Sequence, residues 1–268
     1  MNLLRCAHPE AAFGVTVLTG VLALSTGRGT GTIWVLAAVL AGQLYTGWSN
    51  DYVDRERDLR AARRSKPAAT GEISPRRLLI AAVTALALCV PLSLASGLAA
   101  ALAHLGAVGA ATLYNLALKS TAFSVVPYAV AFALLPAFVT LGLPASRLPP
   151  AWALGAGALL GAGAHFTQVL PDIPEDLRQG VRGLPQRVGQ RASAVAAAIL
   201  LGAAAVLIAL GPQRRASSAT ALALLVSLAL VTAVLASALS GREDRTFRLT
   251  LVAAAVIVLS FLLSGGSL

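Results

Sequence analysis

The reading of this chain turns on residues 29–58, GTGTIWVLAAVLAGQLYTGWSNDYVDRERD. From Gly29 to Ser49 there is no charge. The stretch then turns acidic and basic at once, as Asn50-Asp51-Tyr52-Val53-Asp54-Arg55-Glu56-Arg57-Asp58. Dehydrating a carboxylate is costly, so acids at the end of an apolar helix need a purpose. At about 3.6 residues per turn, Asp51, Asp54 and Asp58 fall at i, i+3 and i+7 and share one helix face. Asn50 lies beside Asp54 at i, i+4. Three carboxylates and an amide oxygen on one face suit a hard divalent cation, and Mg²⁺ typically binds through one or two carboxylates plus substrate phosphates.

A solvated, salt-laced segment would look similar. Asp51–Arg55 and Glu56–Arg60 are i, i+4 pairs of opposite charge. A second cluster tips the balance: Asp172, Glu175 and Asp176 also follow an apolar span directly.

The chain of 268 residues is 57% hydrophobic with a mean hydropathy of +0.78, and its apolar residues come in membrane-length runs. This excludes an ordinary soluble domain. We expect one all-α domain over residues 1–268, a polytopic membrane bundle of nine helices around a central cavity. The expected spans are about 11–27, 32–50, 76–96, 98–116, 121–142, 151–170, 191–210, 217–239 and 248–264, with a tight turn at Ser96-Gly97 between the third and fourth. Pro127 and Pro136 are expected to kink the fifth span. Gly155, Gly157, Gly161 and Gly163 are expected to form one close-packing face. The start, Met1-Asn2-Leu3-Leu4-Arg5, does not read as a cleaved signal, so the first helix is expected to direct its own insertion. Cys6 and Cys89 do not suggest a structural disulfide.

With the N-terminus inside, all Lys and Arg residues except Arg28, Arg147, Arg214 and Arg215 fall on the cytoplasmic side, as do all eleven acids. The net charge of +10 therefore reads as contact with anionic lipid, not with nucleic acid. The same topology brings both acidic clusters to one membrane face. Two such clusters can hold one anionic substrate through metal, and a diphosphate is the natural candidate.

Asn50 to Asp58 reads N-D-x-x-D-x-x-x-D and Asp172 to Asp176 reads D-x-x-x-D, which resemble the two aspartate motifs of the UbiA-type membrane prenyltransferases. Three further segments are similar to that family's: Lys66-Pro67-Ala68-Ala69-Thr70-Gly71-Glu72-Ile73-Ser74, Tyr114-Asn115-Leu116-Ala117-Leu118-Lys119, and Gly180-Val181-Arg182-Gly183-Leu184-Pro185. The matches run in order from about residue 8 to 189. The resemblance implies an enzyme that ionises an isoprenyl diphosphate with Mg²⁺ and passes the prenyl group to a small acceptor. It implies metal ligation by Asn50, Asp51, Asp54, Asp58, Asp172 and Asp176. It also implies diphosphate contacts from Asn50 and Lys119, and catalytic roles for Asp54, Asp176, Lys119 and Tyr114, with Tyr114 near the cation; Lys66 and Arg182 are expected either to clamp the diphosphate or to hold their loops to anionic lipid. The chain departs from the family pattern at Gly180, Ser120 and His8-Pro9. An aromatic, quinone-precursor or lipid acceptor is left open, as is cyclisation of the prenyl chain at the same metal site. An acid-lined transporter is the competing reading from another class.

Of the remaining polar residues, His104 reads as a satisfied core histidine. His165 either faces the cavity or packs against a neighbouring helix. Asp172 with Glu175 also fits a helix N-cap box.

Overall fold

The computed structural model describes residues 2–60, 66–212 and 218–263. Among these residues all regular structure is helical. A short α1 (Asn2–Cys6) precedes α2 (Pro9–Ser25), and a 3-10 turn at Gly29–Gly31 leads into α3 (Thr32–Arg60). Then come α4 (Pro75–Leu94), α5 (Leu98–Leu113), α6 (Val125–Leu141) and α7 (Ala151–Val169). Two short helices, α8 (Ile173–Arg178) and α9 (Leu184–Val188), cross to α10 (Gln190–Leu210), α11 (Ser218–Leu239) and α12 (Glu243–Leu263). The long helices follow the expected spans in order. Five stretches are long and apolar enough to cross a bilayer: Pro75–Leu94, Leu98–Leu118, Ala151–Arg178, Gln190–Leu210 and Ser218–Leu239; α2 and α6 are shorter apolar helices.

Each long helix packs on the next in sequence, and α12 packs back on α2, which closes the ring. Apolar side chains such as Ile80, Val83, Leu102, Ile199 and Leu225 point outward and are exposed, as a lipid-facing surface requires.

The acidic stretch is not a loop after the second span. Helix α3 runs unbroken through it to Arg60, because no Gly or Pro interrupts residues 48–60 and the i, i+4 charge pairs favour helix. Its 29 residues extend about 44 Å, well beyond the roughly 30 Å of a hydrocarbon core. The acids therefore ride on a rigid extension of a core helix.

The turn between α4 and α5 falls at Gly97, whose φ of 97° suits a residue without Cβ. The α7 glycines serve two faces rather than one. A Cβ on Gly157 would stand 2.5 Å from the Phe132 carbonyl of α6, whereas one on Gly163 would stand 2.9 Å from Leu201 of α10. Small residues let α7 pack closely between those two helices. Pro127 occupies the first turn of α6, where a missing N–H costs nothing; Pro136 lies inside the helix.

Candidate active site

The C-terminal end of α3 buries its carboxylates. Asp51, Asp54 and Asp58 are 2%, 4% and 0% exposed, and each has a cation. Lys66 Nζ lies 2.9 Å from Asp51 Oδ1 and 3.1 Å from Asp58 Oδ2. His8 Nε2 is 3.4 Å from the same Asp51 oxygen. Asp54 Oδ2 pairs with Lys119 and, at 2.7 Å, with Arg57. Lys119 also donates to Asn50 Oδ1 at 3.2 Å. Burial alone would raise the Asp51 pKa, but the His8 hydrogen bond and the Lys66 charge outweigh it and hold the carboxyl at about 2. Burial would likewise lower the Lys66 pKa, yet Asp51 and Asp58 hold it above its ordinary value. Lys119 goes the other way: burial, with Arg57 and Lys66 nearby, lowers its pKa despite Asp54.

Lys119 reaches this site because α5 ends in a π-helical turn, Tyr114–Leu118. Such wide turns rotate the following side chains out of helical register. The turn closes with Lys119 N–H donating to the Tyr114 carbonyl at 3.0 Å. Asn115 Nδ2 fixes it to α3 by donating to the Thr46 carbonyl at 3.2 Å and Ser49 Oγ at 3.1 Å.

The second cluster comes from α7 and α8. Asp176 is 4% exposed and accepts a 2.8 Å hydrogen bond from Gln186 Nε2. Asp172 is exposed and makes no side-chain cap on α8, so the N-cap reading is not realised. Glu175 pairs with Arg178 and accepts from Gln179.

All of this meets at one end of a cavity of about 200 Å³. Asn50, Lys66, Tyr114, Lys119, Asp172 and Asp176 line it, although they come from four separate parts of the chain. Asp51, Asp54 and Asp58 stand behind the lysines and hold them. Arg182 is exposed and does not line the cavity. Away from the charged end the walls become apolar, with Val15, Val108, Phe132, Leu135 and Leu251. Tyr114 and Tyr128 meet edge to face, with ring centres 5.1 Å apart. His104 lines the wall with its Nδ1 2.8 Å from Ser93 Oγ and its ring stacked on Phe138. It is the satisfied histidine expected. His165 packs between helices: it bonds Ser124 Oγ at 3.1 Å and touches the Tyr114 and Tyr128 rings, but does not line the cavity.

Sequence reasoning missed Arg57, Gln186 and the use made of His8. Arg57 was legible as the i+3 partner of Asp54. Gln186 carried no signal, since the turn through Gly180 and Gly183 that returns it to Asp176 is set by tertiary packing.

The donor set is hard oxygen: carboxylates and an amide carbonyl. Among the described residues no three His, Cys, Asp or Glu side chains are grouped closely enough to hold a metal by themselves, and the buried carboxylates are paired with lysine and arginine.

Comparison with known proteins agrees with the motif reading. The model of the UbiA prenyltransferase family matches residues 13–253. A UbiA homologue from Aeropyrum pernix K1, in its apo form, superimposes with a TM-score of 0.75 at 20% identity, covering 95% of this chain and 98% of that one. A UbiA homologue from Archaeoglobus fulgidus bound to DMAPP and Mg²⁺ gives 0.70 at 18% identity, covering 96% and 99%. A structure of digeranylgeranylglyceryl phosphate synthase gives 0.69 at 17% identity, covering 98% and 97%. No curated protein sequence matches the chain. The structures share the fold, and the family match, which spans most of the sequence and contains both aspartate motifs, shows that this chain belongs to the UbiA prenyltransferase family and is a prenyltransferase.

Proposed function

We propose that the chain crosses the membrane nine times with its N-terminus and both acidic clusters cytoplasmic. There it binds an isoprenyl diphosphate with Mg²⁺ and transfers the prenyl group to a small acceptor held in the apolar cavity. The observation that carries this reading is the shared lining: Asn50 from the first motif, Asp172 and Asp176 from the second, and Lys66 and Lys119 from neither, all at one end of one cavity. The charge bias of the loops supports the orientation, and the Mg²⁺ with DMAPP in the Archaeoglobus homologue supports the ligand.

Asn50, Asp51, Asp54, Asp58, Asp172 and Asp176 would hold the metal. When bound, Mg²⁺ neutralises phosphate oxygens and eases departure of the diphosphate. The residues themselves do the rest. Lys119 and Lys66 would turn from their carboxylates to phosphate oxygens only where the carboxylates they leave would take the metal, because a buried carboxylate without a cation is costly. The carbocation end lies along apolar and aromatic walls that exclude water, with Tyr114 and Tyr128 among the lining residues. Arg182, exposed and away from the cavity, has no part in this reading. The acceptor is an aromatic, quinone-precursor or lipid molecule, and product analysis against such a panel separates transfer from cyclisation.

The test is ligand-induced stabilisation. Purified protein should melt at a higher temperature with dimethylallyl diphosphate only when Mg²⁺ is present. Equal stabilisation in EDTA would remove the metal from the account.

A further inference from the structure

A second cavity, of about 110 Å³, lies beyond the first. The two share five lining residues: Val15 of α2, Phe132 and Leu135 of α6, Ala164 of α7 and Leu251 of α12. Four helices therefore line both chambers, and each gives at least one side chain to the boundary. The linings continue along the same helix faces. On α2, Ala12, Val15, Thr19 and Leu22 follow one another at helical spacing, the first opening on the charged chamber and the last two on the far one. On α12, Phe247, Leu251, Ala254 and Val258 do the same. From His8 to Leu22 the rise along α2 is about 21 Å.

The far chamber offers no unpaired polar side chain. The Thr19 hydroxyl donates to the Val15 carbonyl at 2.8 Å, and that of Thr250 to the Thr246 carbonyl at 2.9 Å. Trp152 also has a partner. A chamber with only hydrocarbon to offer suits a hydrocarbon occupant. It lies at the end of the tube opposite Lys119, Asp172 and Asp176, where the tail of a diphosphate anchored there would point.

We propose that these two chambers form one tube with a waist at Val15, Phe132, Leu135, Ala164 and Leu251, and that this waist sets the length of prenyl chain the enzyme prefers. The inference rests on the proposed diphosphate site. The first isoprene units fill the charged chamber's apolar wall, and longer chains thread the waist into the far chamber. Each additional buried methylene then strengthens binding. Bulk at the waist stops the chain, and space there admits it.

The experiment compares dimethylallyl, geranyl, farnesyl and geranylgeranyl diphosphates, with Mg²⁺, on the detergent-purified full chain, reading dissociation constants from thermal stabilisation. Ala164→Phe and Val15→Phe narrow the waist from different helices, and Phe132→Ala widens it. Both narrowing variants should lower geranylgeranyl affinity relative to dimethylallyl affinity by roughly tenfold or more, and Phe132→Ala should move that ratio upward. Should one narrowing variant fail to fold, the other and Phe132→Ala still decide. Unchanged ratios in folded variants overturn the waist and leave the diphosphate site standing. A wild-type protein that binds none of the four overturns both.

Discussion

Lys66 and Lys119 stand between buried carboxylates and the open cavity, but they are held differently, and their removal should read out differently. Asp54 keeps Arg57 at 2.7 Å when Lys119 is lost. Lys119→Met should therefore fold, while binding of an allylic diphosphate weakens by about one charge-assisted contact, roughly 1.5–3 kcal/mol or ten- to a hundredfold; unchanged affinity would reduce Lys119 to a structural cation. Lys66 neutralises Asp51 and Asp58 together, while His8 and the Cys6 thiol also contact Asp51. Lys66→Met should cost stability itself, on the order of 3 kcal/mol for removing one member of a buried ion-pair group, seen as a lower Tm without ligand. Asp51 adds a pH signature. Its folded pKa of about 2 lies below the ordinary value of 3.8. Its stabilisation is thus complete above that ordinary value and is lost as pH falls through it towards 2. Acid titration of Asp51→Asn, followed by melting, should show a shallower loss over that window. The three acids and both lysines were legible because charge in an apolar sequence stands out. Arg182 was legible for the same reason, yet it lies outside the cavity: a positive residue near a motif gives no direction for its side chain.

Among the elements, α3 and α7 carry the geometry. The continuity of α3 could be read from the absence of breakers after Trp48. The π-helical turn at Tyr114–Leu118 could not, because it arises from one extra residue per turn, not from a residue type. The α7 glycines were legible as close packing, but their division between α6 and α10 depends on which helices become neighbours. This gives a contrast to measure. Gly157→Ala places a methyl against the Phe132 carbonyl, so α7 must shift, and a drop in Tm with loss of ligand binding is expected. Gly109→Ala in α5 meets nothing within 4 Å and removes a helix glycine, so it should be neutral or stabilising by up to about 1 kcal/mol. Equal tolerance at both positions would contradict the packing described for α7.

Across the whole molecule, the proposed activity requires two motifs, more than a hundred residues apart, to act at one membrane face. Loop charge is the sequence feature from which that topology is proposed, since basic residues are retained on the cytoplasmic side. The ring closure of α12 on α2 and the division of the interior into two chambers were not legible, because apolar side chains of similar hydropathy can pack in many ways. Cysteines at Glu72 and Arg178 should react with a membrane-impermeant thiol reagent from the inner side, and one at Leu148 from the outer; all three positions are exposed in the fold. The most direct measurement of the central claim is Mg²⁺-dependent release of diphosphate from an allylic diphosphate by Asp54→Asn, Asp176→Asn and the double variant, each shown to fold by thermal melting. Residues that serve one step are non-additive, so each single variant should nearly abolish release and the double variant should be little worse than either. Normal release by Asp176→Asn, with release lost in Asp54→Asn, would show that the second motif does not share the site and would contradict the account.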